Sequence, residues 1–127
     1  MSYTIKREIL GFDSVKEVVI NEIDELFATM QDIHNKNISF TIVHPYPLRE
    51  YSFDVPSDVK VLLDINEKSN ISVYNIVILQ KPLEDSSINF LAPIIVNHDN
   101  NCIAQVVLNE KRHPGYGMSE SIKHFLK

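Results

Sequence analysis

Apolar residues along this chain recur mainly at every second position, in short runs separated by polar turns. Residues 3–10 (YTIKREIL) and 15–20 (VKEVVI) flank a turn at Gly11–Ser14. Residues 38–43 (ISFTIV) are rich in β-branched side chains, and 71–79 (ISVYNIVIL) are almost all β-branched or aromatic, the composition of a central strand. Two further strands are expected at 88–96 (INFLAPIIV) and 102–108 (CIAQVVL). His98-Asp99-Asn100-Asn101 joins them as a hairpin loop, because Asn and Asp tolerate left-handed backbone angles.

Helical spacing appears in three places. In residues 56–65 (PSDVKVLLDI), Ser57 is placed to cap a helix whose Val59, Leu62 and Leu63 share one face. Near the end, Met118, Ile122, Phe125 and Leu126 fall at helical intervals, with Ser119 as a cap. Residues 21–33 (NEIDELFATMQDI) are ambiguous: Ile23, Leu26, Phe27 and Met30 follow a helical period. Strands spaced about ten residues apart, without long βαβ alternation, predict a mainly β fold. The expected architecture is an antiparallel β-barrel or roll with one short helix near 57–65 and a C-terminal helix. It forms a single domain over residues 1–127, a length sufficient for a core without disulfides.

Composition narrows the function classes. The single cysteine, Cys102, excludes an intrachain disulfide and suits a reducing compartment, so a cytoplasmic protein is expected. MSYTIKREIL holds no apolar segment of signal-peptide length, and no run reaches the roughly 20 apolar residues that span a bilayer. Net charge is −5, and residues 1–64 hold eleven acidic and six basic side chains. That excess makes direct nucleic-acid binding a poor fit and a basic protein partner a good one; it also serves solubility.

Signatures of catalysis are missing. The five histidines show no metal-ligand spacing, and His98-Asp99 reads as a solvated turn. Cys102 opens an apolar strand without neighbouring positive charge, so it reads as a small core residue. Three glycines in the whole chain leave no phosphate-cradling loop. The carboxylate pairs Asp24-Glu25 and Glu84-Asp85 stand in polar stretches. No enzyme, metal or cofactor is expected, and a protein-binding role remains.

The stretch INFLAPIIVN-HDNN-CIAQVVLN (88–109) resembles the hairpin signature of the bacterial flagellar assembly factor family FliW. Asn89, Leu91 or Phe90, Ala92, Pro93, Ile94, Asn97 and Gln105 carry the match. Upstream, ILGFDSVKEVVI resembles that family's early glycine-phenylalanine turn and strand, and SFTIVHPYPLREYSFDVP its proline-aromatic loop. Phe90 stands where leucine is common, and EKRHPGYGMSESIKHFLK is longer than the short basic tail usual in the family. The resemblance implies an extended 21–33 region, so a strand is expected over Phe27–Gln31. There Leu26, Ala28 and Met30 would face one way, and Phe27, Thr29 and Gln31 the other.

The same resemblance implies a non-enzymatic partner switch in the cytoplasm. FliW-like proteins bind flagellin before export, and they bind and antagonise CsrA, an RNA-binding repressor of flagellin mRNA translation. A free chain would be a monomer. Two segments are candidates for partner contact. Tyr46, Pro47 and Leu48 form a proline-flanked aromatic loop, suited either to anchoring a partner or to closing the barrel end. In 88–97, Ile88, Phe90, Ala92, Ile94 and Val96 would point to the core, and Asn89, Leu91, Pro93, Ile95 and Asn97 outward. Pro93 cannot donate a ladder hydrogen bond, which suggests an edge strand covered by the C-terminal helix or by a partner. A small-molecule-binding β-barrel is the alternative class.

Overall fold

The computed structural model describes residues 2–116 and residue 121. Its strands are β1 (Ser2–Arg7), β2 (Glu17–Glu22), β3 (Phe27–Asp32), β4 (Ser39–Val43), β5 (Ile71–Ile78), β6 (Ser87–Ile88), β7 (Ile94–Asn97) and β8 (Cys102–Gln105). One helix, α1 (Ser57–Leu62), follows β4, and a 3-10 turn at Leu83–Asp85 precedes β6. The hydrogen-bonded order β4-β3-β2-β1-β8-β7-β5 returns to β4 through Ile42–Ile76 and Val43–Asn75. Seven strands thus close a barrel, which leaves few free edges. The pairing is antiparallel except between β1 and β8, which run parallel from Thr4–Cys102 to Arg7–Ala104. The expected mainly β barrel is present, with one parallel seam.

The ambiguous segment 21–33 is a hairpin arm. β2 continues through Glu22, leaving a short turn before β3, and Ile20–Met30 and Asn21–Thr29 are register partners. Ile23 is 62% exposed, so the helical spacing it shares with Leu26, Phe27 and Met30 marks no buried face. Burial alternates along β3, with Ala28 and Met30 inside, as an extended strand requires. Pairing on both sides, to β2 and β4, outweighs the local helical period.

Helix α1 departs from expectation at both ends. Its N-cap is Pro56 in extended backbone geometry, and no side chain caps it, so Ser57 is the first helical residue instead of the cap. Val59 and Leu63 are fully buried, whereas Leu62 is 39% exposed and lies off the buried face. The chain leaves the helix by a Schellman turn: Ile65 N–H donates to Lys60 O at 2.8 Å and Asp64 N–H to Val61 O at 3.2 Å. Asp64, at φ 55°, takes the left-handed position that glycine usually fills. The predicted C-terminal helix, with Met118, Ser119, Ile122, Phe125 and Leu126, lies outside the described residues.

Three apolar clusters follow. The barrel interior holds Val18, Met30, Ile42, Tyr74, Ile94 and Ile103 among others. Outside the wall, Val43, Val73 and Val77 are covered by Tyr51, Ile88 and Phe90. A third cluster packs Val59 and Leu63 of α1 against Ile95, Cys102, Ala104 and Val106.

Candidate protein-docking surface

The INFLAPIIVN stretch is not one edge strand. Residues 87–88 and 94–97 both pair with β5, and 89–93 bulge out between them. β7 lies inside the sheet, between β5 and β8. Pro93 is buried, and its carbonyl accepts from Val106 N at 3.0 Å. Ile95 is fully buried under α1, Asn97 is 1% exposed, and Asn89 and Leu91 are half-buried. The expected outward, edge-exposed row is therefore corrected: after the bulge Ile94 and Val96 face the barrel interior and Ile95 packs under α1, while Ile88 before it and Phe90 within it pack outside the wall with Tyr51.

The polar residues of the motif act as internal ties. Gln105, 4% exposed, accepts from Leu10 N at 2.8 Å and donates to Ala92 O at 3.1 Å. Asn97 Nδ2 donates to Leu63 O at 2.9 Å, and Asn97 Oδ1 accepts from Asp99 N at 3.0 Å. A second amide, Asn100 Nδ2, reaches the same Leu63 carbonyl at 2.9 Å, so the orphan end of α1 is satisfied by the β7–β8 turn. Asn101 takes φ 56° in that turn. His98 is bound on both ring nitrogens, to Tyr3 Oη at 3.1 Å and Ser72 Oγ at 2.7 Å. Cys102 is a buried free thiol.

A knot of aromatic side chains sits over β5. The Tyr51 hydroxyl donates to Phe90 O and accepts from Asn75 Nδ2 at 3.2 Å, and Asn75 also reaches Asn89 O at 2.9 Å. Burial pushes the Tyr51 phenol well above its usual range. Arg49 lies over the rings of Phe90 and Tyr116, 4.9 and 4.8 Å from their centroids. Tyr116 clasps Ser52, accepting from its N–H at 3.0 Å and donating to its carbonyl at 3.1 Å. Of the proline-aromatic loop, Leu48 packs into this cluster, while Tyr46 is 57% exposed and Pro47 is exposed beside it.

Beside the knot, the wall opens. β4 and β5 pair over two residues each, and an apolar groove of about 450 Å³ follows. Phe27, Thr41, Val77 and Leu79 line it together with Leu83, Glu84 and Ser86. Leu79 and Leu83 are 58% and 68% exposed. Sequence reading missed both as surface: Leu79 closes the apolar run 71–79 and read as part of a central strand, and Leu83 stands as an isolated leucine inside KPLEDS. Phe27 of the lining opens β3 directly after the β2–β3 turn, where Glu22, Asp24 and Glu25 are exposed. Asp24 accepts from Phe27 N at 2.7 Å and Leu26 N at 2.8 Å, and these bonds hold its carboxyl below the usual carboxylate range. Glu22 takes a hydrogen bond from Tyr74 at 2.8 Å and lies 2.9 Å from His44.

A polar hollow of about 420 Å³ lies between Ser52–Asp54 and Arg112–Pro114. Among the described residues, no three His, Cys, Asp or Glu side chains gather as a metal site. None of the described helices is long and apolar enough to cross a membrane.

Comparison with known proteins fits this architecture. A family profile described as "FliW protein" matches residues 1–120. Flagellar assembly factor FliW 1 of Wolinella succinogenes is 43% identical over 127 residues, covering 100% of this chain and 99% of its own. Flagellar assembly factor FliW of Sulfurimonas denitrificans is 46% identical over 127 residues, with 100% and 99% covered. A crystal structure of the flagellar assembly factor FliW has the same fold, with a TM-score of 0.84 at 21% identity over 95% of this chain and 84% of that one. On the profile match across most of its length and on relatives 43% and 46% identical, the chain belongs to the FliW family of flagellar assembly factors.

Proposed function

We propose that this protein is a cytoplasmic, non-enzymatic partner switch that holds flagellin before export and, when free of it, captures the translational repressor CsrA. The exposed apolar groove beside β4 and β5 carries the reading. A segment that is disordered alone and helical once assembled can lay its apolar face into such a groove. A flagellin terminus, disordered until assembly and helical afterwards, is assigned that place. The exposed Tyr46–Pro47 tip is a second contact at low entropic cost. Leu48 packs into the aromatic cluster and Ile95 and Asn97 lie against α1, so the contact is assigned to exposed residues rather than to Leu48, Asn89, Leu91, Pro93, Ile95 and Asn97.

CsrA binds RNA and is basic, so it is assigned to the acidic half of the chain, centred on the Glu22–Glu25 turn. No nucleic acid, membrane or cofactor enters the reading, and the free protein is a monomer. Side chains such as Met30, Ile42 and Ile94 fill the barrel interior, which favours binding on the outer surface over a ligand held inside.

The test is titration of flagellin and CsrA against the intact protein and its Leu79→Asp variant. Placing a carboxylate in the groove should weaken flagellin binding at least about tenfold, about 1.4 kcal/mol, with the melting temperature unchanged. CsrA binding should instead weaken as salt rises. Unaltered flagellin affinity in a folded Leu79→Asp protein rejects the groove.

A further inference from the structure

The strand ladder stops where the groove begins. His44 N donates to Leu26 O and Asp32 N to Ile38 O, so Phe40 and Ile42, in phase with them, turn their backbone groups toward β3. Ser39 and Thr41 therefore turn theirs toward β5. On β5, Asn89 N donates to Ile76 O and Gln80 N to Ser86 Oγ, so Val77 and Leu79 turn theirs toward β4. A ladder continued past Ile42–Ile76 would pair Thr41 with Val77 and Ser39 with Leu79, and neither pair forms. The two strands fork there, and each ends in a short open edge.

Proteins normally blunt such edges with charge, proline or a bulge. Neither charge nor proline occurs among Ser39, Phe40 and Thr41 or among Val77, Ile78 and Leu79. Ile78 and Leu79 are 50% and 58% exposed. The rim has one dominant sign: Glu84 lines the groove, Asp85 follows it, and Asp24 and Glu25 are exposed at the turn before Phe27, against Lys81.

We propose that the fork receives an extended segment of a partner, apolar residues alternating with lysine or arginine, as one added strand on the β5 edge at Leu79. Main-chain hydrogen bonds hold such a segment, and side-chain contacts with Leu79, Leu83 and the acidic rim select it. The inference rests on the function proposed above only in naming flagellin as that partner. A terminus held as a strand is kept out of the helical form it takes on assembly.

Acetyl-KVKVKV-amide, offered to the full chain, tests the edge, together with two versions of it N-methylated at every valine or at every lysine. In a strand these two sets of amides point to opposite sides, and one side alone meets β5. One methylated peptide should bind as the parent does and the other at least about tenfold more weakly. At saturation the parent should slow hydrogen exchange of the Leu79 amide at least about tenfold and leave α1 unchanged. Equal affinities of the two methylated peptides, unaltered exchange at Leu79, or no binding of the parent overturns the added strand. Carbon chemical shifts of a bound flagellin terminus should be those of extended chain; helical shifts overturn its use of the edge. Flagellin that fails to bind, where the peptide does add to β5, removes flagellin as the partner and leaves the strand site standing.

Discussion

Gln105 was recognisable as a residue of the family signature, and the structure shows what it does. Its side chain joins the Leu10 N–H to the Ala92 carbonyl inside the protein, tying the β1–β2 turn to the bulge before β7. Replacing it with leucine keeps the size and strands both backbone groups. An unsatisfied buried group costs roughly 1–3 kcal/mol and the bond to the exposed Leu10 is only partly buried, so Gln105→Leu should lose about 1–3 kcal/mol in urea unfolding. A loss below about 0.5 kcal/mol would mean that water or neighbours satisfy both groups. Asn97 and Asn89 follow the same logic. The motif was legible because its residues are chemically unusual for a strand. Their inward direction was not, because a bulge of residues 89–93 shifts the alternation on which outward facing was argued. For Tyr46 and Pro47 the sequence left two readings open, a partner anchor or a plug for the barrel end, and the structure leaves both residues exposed.

At the scale of elements, strands were readable from alternation and β-branched content, and α1 from its two buried positions. Its buried face was drawn too wide. Leu63→Ala removes a fully buried side chain between α1 and β7 and should cost about 2–5 kcal/mol, while Leu62→Ala at a 39% exposed position should stay within about 0.5 kcal/mol. Equal losses would contradict the assigned face. The β2–β3 turn gives an element-scale pH effect. Backbone donors from Phe27 and Leu26 hold the Asp24 pKa below its unfolded value. Its contribution is therefore full above the ordinary carboxylate pKa of about 4 and disappears as pH falls through the lower folded value. Unfolding midpoints measured from about pH 5 down to pH 2.5 should fall less steeply for Asp24→Asn than for the unmodified chain. Parallel curves would show that the turn does not depend on the ionised carboxylate.

For the whole molecule, closure is the organising fact. A single parallel seam between β1 and β8 lets the first and last strands lock together, a long-range pairing that no local pattern announces. Closure also decides where function can reside. The interior and the inner face of α1 are filled by the protein's own side chains, and where β4 and β5 part an apolar groove stays open, with Leu79 and Leu83 exposed in it. Sequence periodicity reports which residues are apolar, and only the topology reports which of them remain uncovered. The central claim is that this barrel works by offering that surface to other polypeptides. Size-exclusion chromatography of the purified protein mixed with flagellin, and separately with CsrA, at micromolar concentration tests it most directly. Co-elution with each partner as a distinct complex is predicted; separate elution from both would contradict the claim.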